Sequence, residues 1–170
     1  MIDIDYSSLR PVLDVCCGGR LFYYERNTPV VTFQDIRRGT FEAGEGRTIT
    51  VDPDVAGDFT NLSYEDGGEH KGFALVVFDP PHLKRAGPHS FMRAKYGVLD
   101  KDWKKELGQG FRECFRVLRN DGVLVFKWST SDIPMEEVLK LSPYRPLLGD
   151  QRGHTRWAIF IKHGGMRRKE

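Results

Sequence analysis

The four residues Asp79-Pro80-Pro81-His82 combine a carboxylate with two stiff residues, and they directly follow the apolar run Phe73–Phe78. A continuous run rich in Val and Phe predicts a strand buried on both faces of a parallel sheet. Neither proline can donate to a sheet ladder and each fixes φ, so the strand must end there. Ligands bind at the carboxyl ends of strands in open α/β sheets. A rigid corner rich in acceptors at that edge suits a substrate whose amino group must be held in one orientation.

A glycine turn forms a second candidate site. The segment 11–20, which contains Asp14 and Cys16-Cys17-Gly18-Gly19, predicts a strand that runs into a tight glycine turn. Glycines at the end of a strand let the backbone approach a ligand closely. A glycine pair lacks the three-glycine dinucleotide fingerprint, and an ordinary strand-to-helix turn is the alternative interpretation.

Two further carboxylates could complete a nucleoside site near this turn. Asp35 ends the next predicted strand, about twenty positions after Asp14, where an acidic residue can accept hydrogen bonds from ribose hydroxyls. Asp58 could accept an exocyclic amine, and the neighbouring Phe59 could pack on a purine. The alternatives are a surface carboxylate at Asp35 and a structural pair at Asp58-Phe59.

The hydrophobic pattern around these residues predicts one α/β domain over 1–170, with a core at about 11–162. Apolar residues spaced by three and four predict an amphipathic helix over 102–118. The long basic segment over 82–100 is predicted to be a loop, which at this length is commonly a lid, a binding loop or a disordered segment. Strands are predicted at 12–15, 30–33, 48–51, 73–78, 123–126 and 157–161, shorter helices at 22–26 and 135–141, a loop at 36–48 and a basic tail at 163–170.

Composition narrows the function classes. The 170 residues carry a net charge of only +2, so nucleic-acid affinity would require a local basic patch. No apolar stretch reaches the length of a membrane span and the N-terminal residues lack a signal-peptide apolar region, so we expect a cytoplasmic protein with no membrane partner. Cys16, Cys17 and Cys114 do not have zinc-site or disulfide spacing, and we expect reduced, buried thiols and no metal.

In combination these residues resemble the class I S-adenosylmethionine-dependent methyltransferases. The segment 13–19 resembles their first motif, with Cys16 in place of the usual first glycine, and 111–125 resembles their helix-turn-strand after the catalytic strand. The likeness runs from about Val12 to Ile161. It implies S-adenosyl-L-methionine as cofactor and a single Rossmann-like, doubly wound, mostly parallel sheet with an antiparallel C-terminal strand.

The resemblance also implies roles for the cofactor residues. Asp14 and Cys16-Cys17-Gly18-Gly19 would pass beneath the amino-acid moiety of the cofactor. Asp35 would bind the ribose, and Asp58-Phe59 the adenine.

Asp79-Pro80-Pro81-His82 resembles the Asp/Asn-Pro-Pro-aromatic motif of methyltransferases that act on exocyclic or amide nitrogens. An aromatic amine is a poor nucleophile, and the Asp79 carboxylate and Pro80 carbonyl could both accept from it and aim its lone pair. His82 stands where the family has an aromatic ring that stacks on a flipped base; it could stack, bond a base edge, move a proton or be a simple turn residue. Adenine N6 in DNA or RNA is the leading acceptor. The alternatives are cytosine N4, a protein amide nitrogen, or a non-catalytic nucleic-acid-binding subunit.

Basic side chains concentrate after this motif, interleaved with Phe91 and Tyr96. Such a segment could track a phosphate backbone and stack unpaired bases, although a solvated loop is the alternative. We expect no separate target-recognition domain, and therefore low sequence specificity, a structured or single-stranded nucleic acid as substrate, or specificity supplied by a specificity subunit. The predicted substrate-binding residues are Lys84, Arg85, His89 and Arg93, and Lys95, Lys101, Lys104 and Lys105 continue the patch.

Overall fold

A computed structural model describes residues 11–21, 23–69, 71–87, 90–99 and 101–163. The strands are β1 (Val12–Asp14), β2 (Val31–Asp35), β3 (Gly39–Glu42), β4 (Thr48–Val51), β5 (Val55–Ala56), β6 (Phe73–Phe78), β7 (Leu118–Ser129), β8 (Leu148–Arg152) and β9 (Thr155–Ile161). The helices are α1 (Phe91–Tyr96), α2 (Trp103–Val117) and α3 (Met135–Leu139). Seven of these strands form one sheet in the order β5-β2-β1-β6-β7-β9-β8, and β3 and β4 form a separate hairpin.

The sheet is mostly parallel. Neighbouring strands from β5 to β7 run parallel, whereas β9 pairs antiparallel with both β7 and β8. This confirms the predicted α/β class and Rossmann-like sheet with an antiparallel C-terminal strand.

The core lies between the sheet and α2. Leu107, Phe111 and Cys114 recur at helical spacing and are fully buried, as the amphipathic pattern requires. They pack on Phe78 and Phe126 from the two central strands, and each large side chain contributes about 1.5–3 kcal/mol by leaving water.

Chain order reverses between β1 and β6, which are neighbours in the sheet. The chain first builds β2 and β5 on one side of β1, then crosses to β6 on the other. Asp14 lies opposite Val77 in this pair, so the ends of the glycine turn and of the proline corner meet at one edge. Such a switch point is where open α/β sheets bind ligands.

The predicted helix at 22–26 is wrong for its described part, because residues 23–26 form bends and turns. Tyr24, Glu25 and Arg26 are exposed, and only Tyr23 makes a ring contact, with Phe33 at 4.9 Å. These residues therefore have no continuous apolar face to bury, and isolated short helices are marginal in water. Phe22 lies outside the described residues.

Two predicted loops contain regular structure. The segment 36–48 includes β3, which pairs with β4, and the segment 82–100 includes α1. Ala94 of α1 packs on Ile49 and Val51 of the hairpin, so these elements support each other through a small apolar cluster of their own. Among the described residues no helix is long and apolar enough to cross a membrane. The tail beyond residue 163 lies outside the described part.

Candidate active site

One cavity of about 660 Å³ lies at the carboxyl edge of the central strands, with residues of α1 forming part of its wall. Its volume is in the range of small-molecule sites. It brings together predicted residues from both candidate sites: Cys16, Cys17, Gly18, Gly19, Asp35, Asp58, Phe59, Asp79 and Pro81 all line it. Asp14, Pro80 and His82 are buried and are not part of this lining.

The glycine turn is held tightly against the sheet and α1. The Val15 N–H donates to Val77 O at 3.1 Å, which ties the start of the turn to β6. Gly18 has φ +49°, and a Cβ there would lie 3.4 Å from the Lys95 carbonyl oxygen. Only glycine adopts this conformation without strain in so narrow a space.

Asp35 lies at the end of β2, where its carboxylate already makes three hydrogen bonds. Oδ2 accepts from the Gly18 N–H at 2.9 Å, and Oδ1 accepts from the Arg37 N–H and Nε at 2.9 and 3.2 Å. A carboxylate has about four acceptor sites, so one remains for a ribose hydroxyl. The Arg37 guanidinium also donates to the carbonyls of Ala94 and Lys95, which ties α1 to this carboxylate. Sequence reasoning missed Arg37.

Asp58 and Phe59 meet the cavity from the loop after β5. Asp58 is exposed, and its Oδ1 accepts from the Thr60 N–H at 2.8 Å. Phe59 is buried, with its ring 5.2 Å from that of Phe78. The pair thus places an outward carboxylate beside a buried ring at the cavity.

Asp14 ends β1 and is fully buried. Its Oδ1 accepts from the Cys16 N–H at 3.1 Å and its Oδ2 from the Tyr23 hydroxyl at 2.9 Å. Burial raises the pKa of Asp14 to about 7, and these two donors only partly oppose the rise. Near neutral pH, Asp14 is therefore divided between its protonated and ionised forms.

Asp79 forms an ion pair that the sequence did not reveal. The Lys127 Nζ lies 2.6 Å from its Oδ2, and the two side chains are only 16% and 6% exposed for Lys127 and Asp79 respectively. Burial raises the pKa of Asp79, and Lys127 opposes that rise more than any other group. Lys127 follows Phe126, where the predicted strand ended. Because parallel strands share one carboxyl edge, that position was the available signal.

His82 is 2% exposed, and neither ring nitrogen has a hydrogen-bond partner among the described residues. Its ring packs edge-on against Tyr96 at 4.6 Å and lies 6.2 Å from Trp128. Burial, with Lys127 as the next influence, lowers the pKa of His82 to about 4, so the imidazole is neutral. Tyr96, in contrast, lines the cavity.

The predicted substrate-binding residues are not all brought to the cavity. Arg93 lines it and donates to the Ala86 carbonyl at 3.2 Å. Lys84 and Arg85 are exposed outside the lining, and the Lys84 Nζ lies 5.7 Å from the centre of the Trp103 ring. His89 lies outside the described residues.

The three thiols are free, with Cys17 and Cys114 buried, as predicted, and Cys16 half-buried at the cavity. Burial raises the pKa of Cys17 to about 12, so it is a neutral thiol at physiological pH. In the described ranges, no group of three or more His, Cys, Asp or Glu residues could hold a metal ion.

No family profile matches the chain, and no curated protein matches it. Solved structures do. A 1,6-didemethyltoxoflavin-N1-methyltransferase of Burkholderia thailandensis, solved with 1,6-didemethyltoxoflavin and S-adenosylhomocysteine, is 16% identical; the match covers 89% of this chain and 70% of that one, with a TM-score of 0.51.

Two other solved structures are similar to the same extent. A TehB-like SAM-dependent methyltransferase of Corynebacterium glutamicum is 17% identical over 88% of this chain and 78% of that one, with a TM-score of 0.52. The N-methyltransferase NodS of Bradyrhizobium japonicum is 14% identical over 88% and 84%, with a TM-score of 0.51. At these identities the likeness establishes a shared fold.

Proposed function

We propose that this protein is an S-adenosylmethionine-dependent methyltransferase that acts on an exocyclic amino group, with adenine N6 in DNA or RNA as the leading acceptor. One observation carries the proposal: the glycine turn and the Asp-Pro-Pro corner line the same cavity. Methyl transfer needs the methyl donor and the acceptor amine in one enclosed space. The solved structures with the same fold include N-methyltransferases, which supports a nitrogen acceptor.

The residues of the cavity fit the cofactor. When bound, S-adenosylmethionine supplies an electrophilic methyl group. The turn at Gly18 and Gly19 leaves the backbone free of side-chain bulk, as a closely packed amino-acid moiety requires. Asp35 retains an acceptor site for a ribose hydroxyl, and Asp58-Phe59 presents a carboxylate and a ring for adenine.

The acceptor amine would be held by the proline corner. The Asp79 carboxylate, which lines the cavity, would accept an N–H group and direct the nitrogen lone pair into the cavity. The sequence also predicts the Pro80 carbonyl as an acceptor, but Pro80 is buried and is not part of the lining. Positioning of this kind lowers the barrier by several kcal/mol. The carboxylate also stabilises the positive charge that develops on the nitrogen.

We assign the stacking surface for the acceptor ring to Tyr96. The sequence predicts base contact by His82, but that imidazole is buried, is not part of the lining and packs on the ring of Tyr96. Tyr96 lies at the cavity, and we infer that His82 acts on the base by holding this ring in place.

The basic residues suit a nucleic-acid substrate. Arg93 lies at the cavity, while exposed Lys84 and Lys104 flank the ring of Trp103 at 5.7 and 5.4 Å. Trp103 is half-buried, and cations beside an aromatic ring can hold a phosphate backbone and a stacked base. We propose low sequence specificity for the chain alone, with a separate specificity subunit as the source of any strict recognition.

The variant Asp79→Ala tests the assignment. It removes the acceptor and should lower the rate of methyl transfer by at least about 10²-fold, while S-adenosylmethionine binding measured by calorimetry survives. Asp150→Ala is the matched control, because Asp150 is exposed on β8, outside the cavity lining. Loss of binding and transfer together, or of neither, contradicts the role of Asp79.

A further inference from the structure

Asp79 and Lys127 are placed side by side by strand register. Phe78 of β6 lies opposite Phe126 of β7 in the parallel sheet, and the ion pair is made by the next residue of each strand. Adjacent parallel strands present side chains in register to the same face. The 2.6 Å contact is therefore fixed by the backbone of the two central strands.

We propose that Lys127 is a positioning residue that keeps Asp79 an oriented carboxylate able to accept from the acceptor amine. The inference rests on the proposed function, since it gives Asp79 the amine-holding role. Lys127 itself needs no contact with the substrate.

The two carboxylate oxygens divide between the two partners. Oδ2 is engaged by Lys127, whereas Oδ1 takes no hydrogen bond from the part of the chain that the structure describes. Lys127 thereby fixes the direction of the carboxylate and leaves one oxygen for the amine. The Lys127 ammonium is itself held between the rings of Tyr96 and Trp157, with its Nζ 5.0 and 5.9 Å from their centres.

Charge balance gives the second reason. Burial favours the neutral acid form of Asp79, and the nearby Asp14 carboxylate would add negative charge to the same region. Lys127 and, more weakly, Lys95 are the cations that oppose this. A protonated Asp79 would turn one oxygen into a hydroxyl donor and leave only an uncharged acceptor, so its hold on the donating amine would be weakened.

The test measures the protonation of Asp79 directly. In protein labelled with ¹³C at the aspartate carboxyls, the Asp79 resonance is assigned with Asp79→Asn and followed against pH. We expect Lys127→Met to raise the titration midpoint of the Asp79 carboxyl by about 1–3 pH units. Lys127→Arg keeps the positive charge and should leave this midpoint near its wild-type value. Lys71→Met is the control, because Lys71 is exposed before the opposite end of β6.

Methyl-transfer rates on adenine-containing oligonucleotides provide the functional arm. In Lys127→Met, the pH at which kcat falls off on the acid side should rise together with the titration midpoint of the Asp79 carboxyl. The dissociation constant for S-adenosylhomocysteine should stay within about two-fold of the wild-type value. If Lys127→Met does not fold, Lys127→Gln supplies the same comparison with an uncharged donor.

An Asp79 midpoint that is unchanged in the uncharged variants overturns the inference, as does a loss of rate at every pH without a shifted midpoint. Failure of the proposed function looks different: the wild type would methylate no nucleic acid at any pH, and the titration would still report on the Lys127–Asp79 pair.

Discussion

Asp14 should make the stability of the protein fall as the pH rises from about 4 towards neutrality. Its folded pKa of about 7 lies well above the ordinary value near 3.8 that it regains on unfolding. The folded state therefore binds the proton more tightly, and its advantage is complete below the unfolded pKa and lost as the pH rises through the folded pKa. Linkage over this window gives a decrease in the free energy of unfolding of about 2–3 kcal/mol between pH 5 and pH 8.

The perturbation that isolates this effect is Asp14→Asn. The amide has nearly the same shape, its oxygen can accept from the Cys16 N–H, and its NH₂ can donate to the Tyr23 hydroxyl. Because the amide cannot ionise, the variant should lose the pH-dependent part of the stability and gain on the wild type towards pH 8.

Urea unfolding at half-unit steps from pH 5 to pH 8, followed by circular dichroism, measures the difference between the two proteins. Asp150→Asn is the matched control, since this carboxylate is exposed on β8 and its change should leave the curve parallel to that of the wild type. If the free energies of unfolding of Asp14→Asn and of the wild type also run parallel from pH 5 to pH 8, the pKa of Asp14 is not raised by burial.

Two further predictions concern packing and the attachment of α1. Gly110→Ala should lower the free energy of unfolding in urea by about 1–3 kcal/mol, because the new Cβ would lie 2.6 and 2.8 Å from two core phenylalanine rings. Gly108→Ala, on the same helix but with no such clash, should be stabilising or neutral. Equal effects of the two variants would contradict the close packing of Gly110 on these rings. Arg37→Leu removes the hydrogen bonds through which Arg37 joins Asp35 to the carbonyls at the end of α1. Hydrogen exchange of the α1 amides should become faster by about tenfold or more in this variant, but not in Arg145→Leu, which changes an exposed residue. Unchanged exchange in Arg37→Leu would show that other contacts hold α1.

The elements with a buried periodic pattern could be predicted from sequence. Phe73–Phe78 is a continuous apolar run because this strand is covered on both faces near its end. α2 has apolar residues three and four positions apart because it packs only one face on the sheet. The strands Gly39–Glu42 and Leu148–Arg152 could not be predicted. All or nearly all of their residues are exposed, so neither strand has a buried face that would require apolar residues at every second position. Phe91–Tyr96 is too short for a helical period.

The candidate site was readable where a residue type has a local reason to stand at a strand end. Glycines at a turn, a carboxylate at the next strand end and prolines after an apolar run are such cases. Lys127 and Arg37 act through partners that are distant in sequence, at Asp79 and at the carbonyls of α1. Only the sheet register and the docking of the helix reveal them. His82 could be found, but its burial against Tyr96 could not.

We propose that the cavity transfers a methyl group to a nucleic-acid amine held at Asp79. The most direct measurement offers S-adenosylmethionine with a labelled methyl group, together with DNA, RNA and protein pools, to the wild type and to Asp79→Ala, and identifies the labelled products by mass spectrometry. We predict label at adenine N6 with the wild type and none with Asp79→Ala. Label confined to protein, or equal labelling of nucleic acid by the two proteins, would contradict the account.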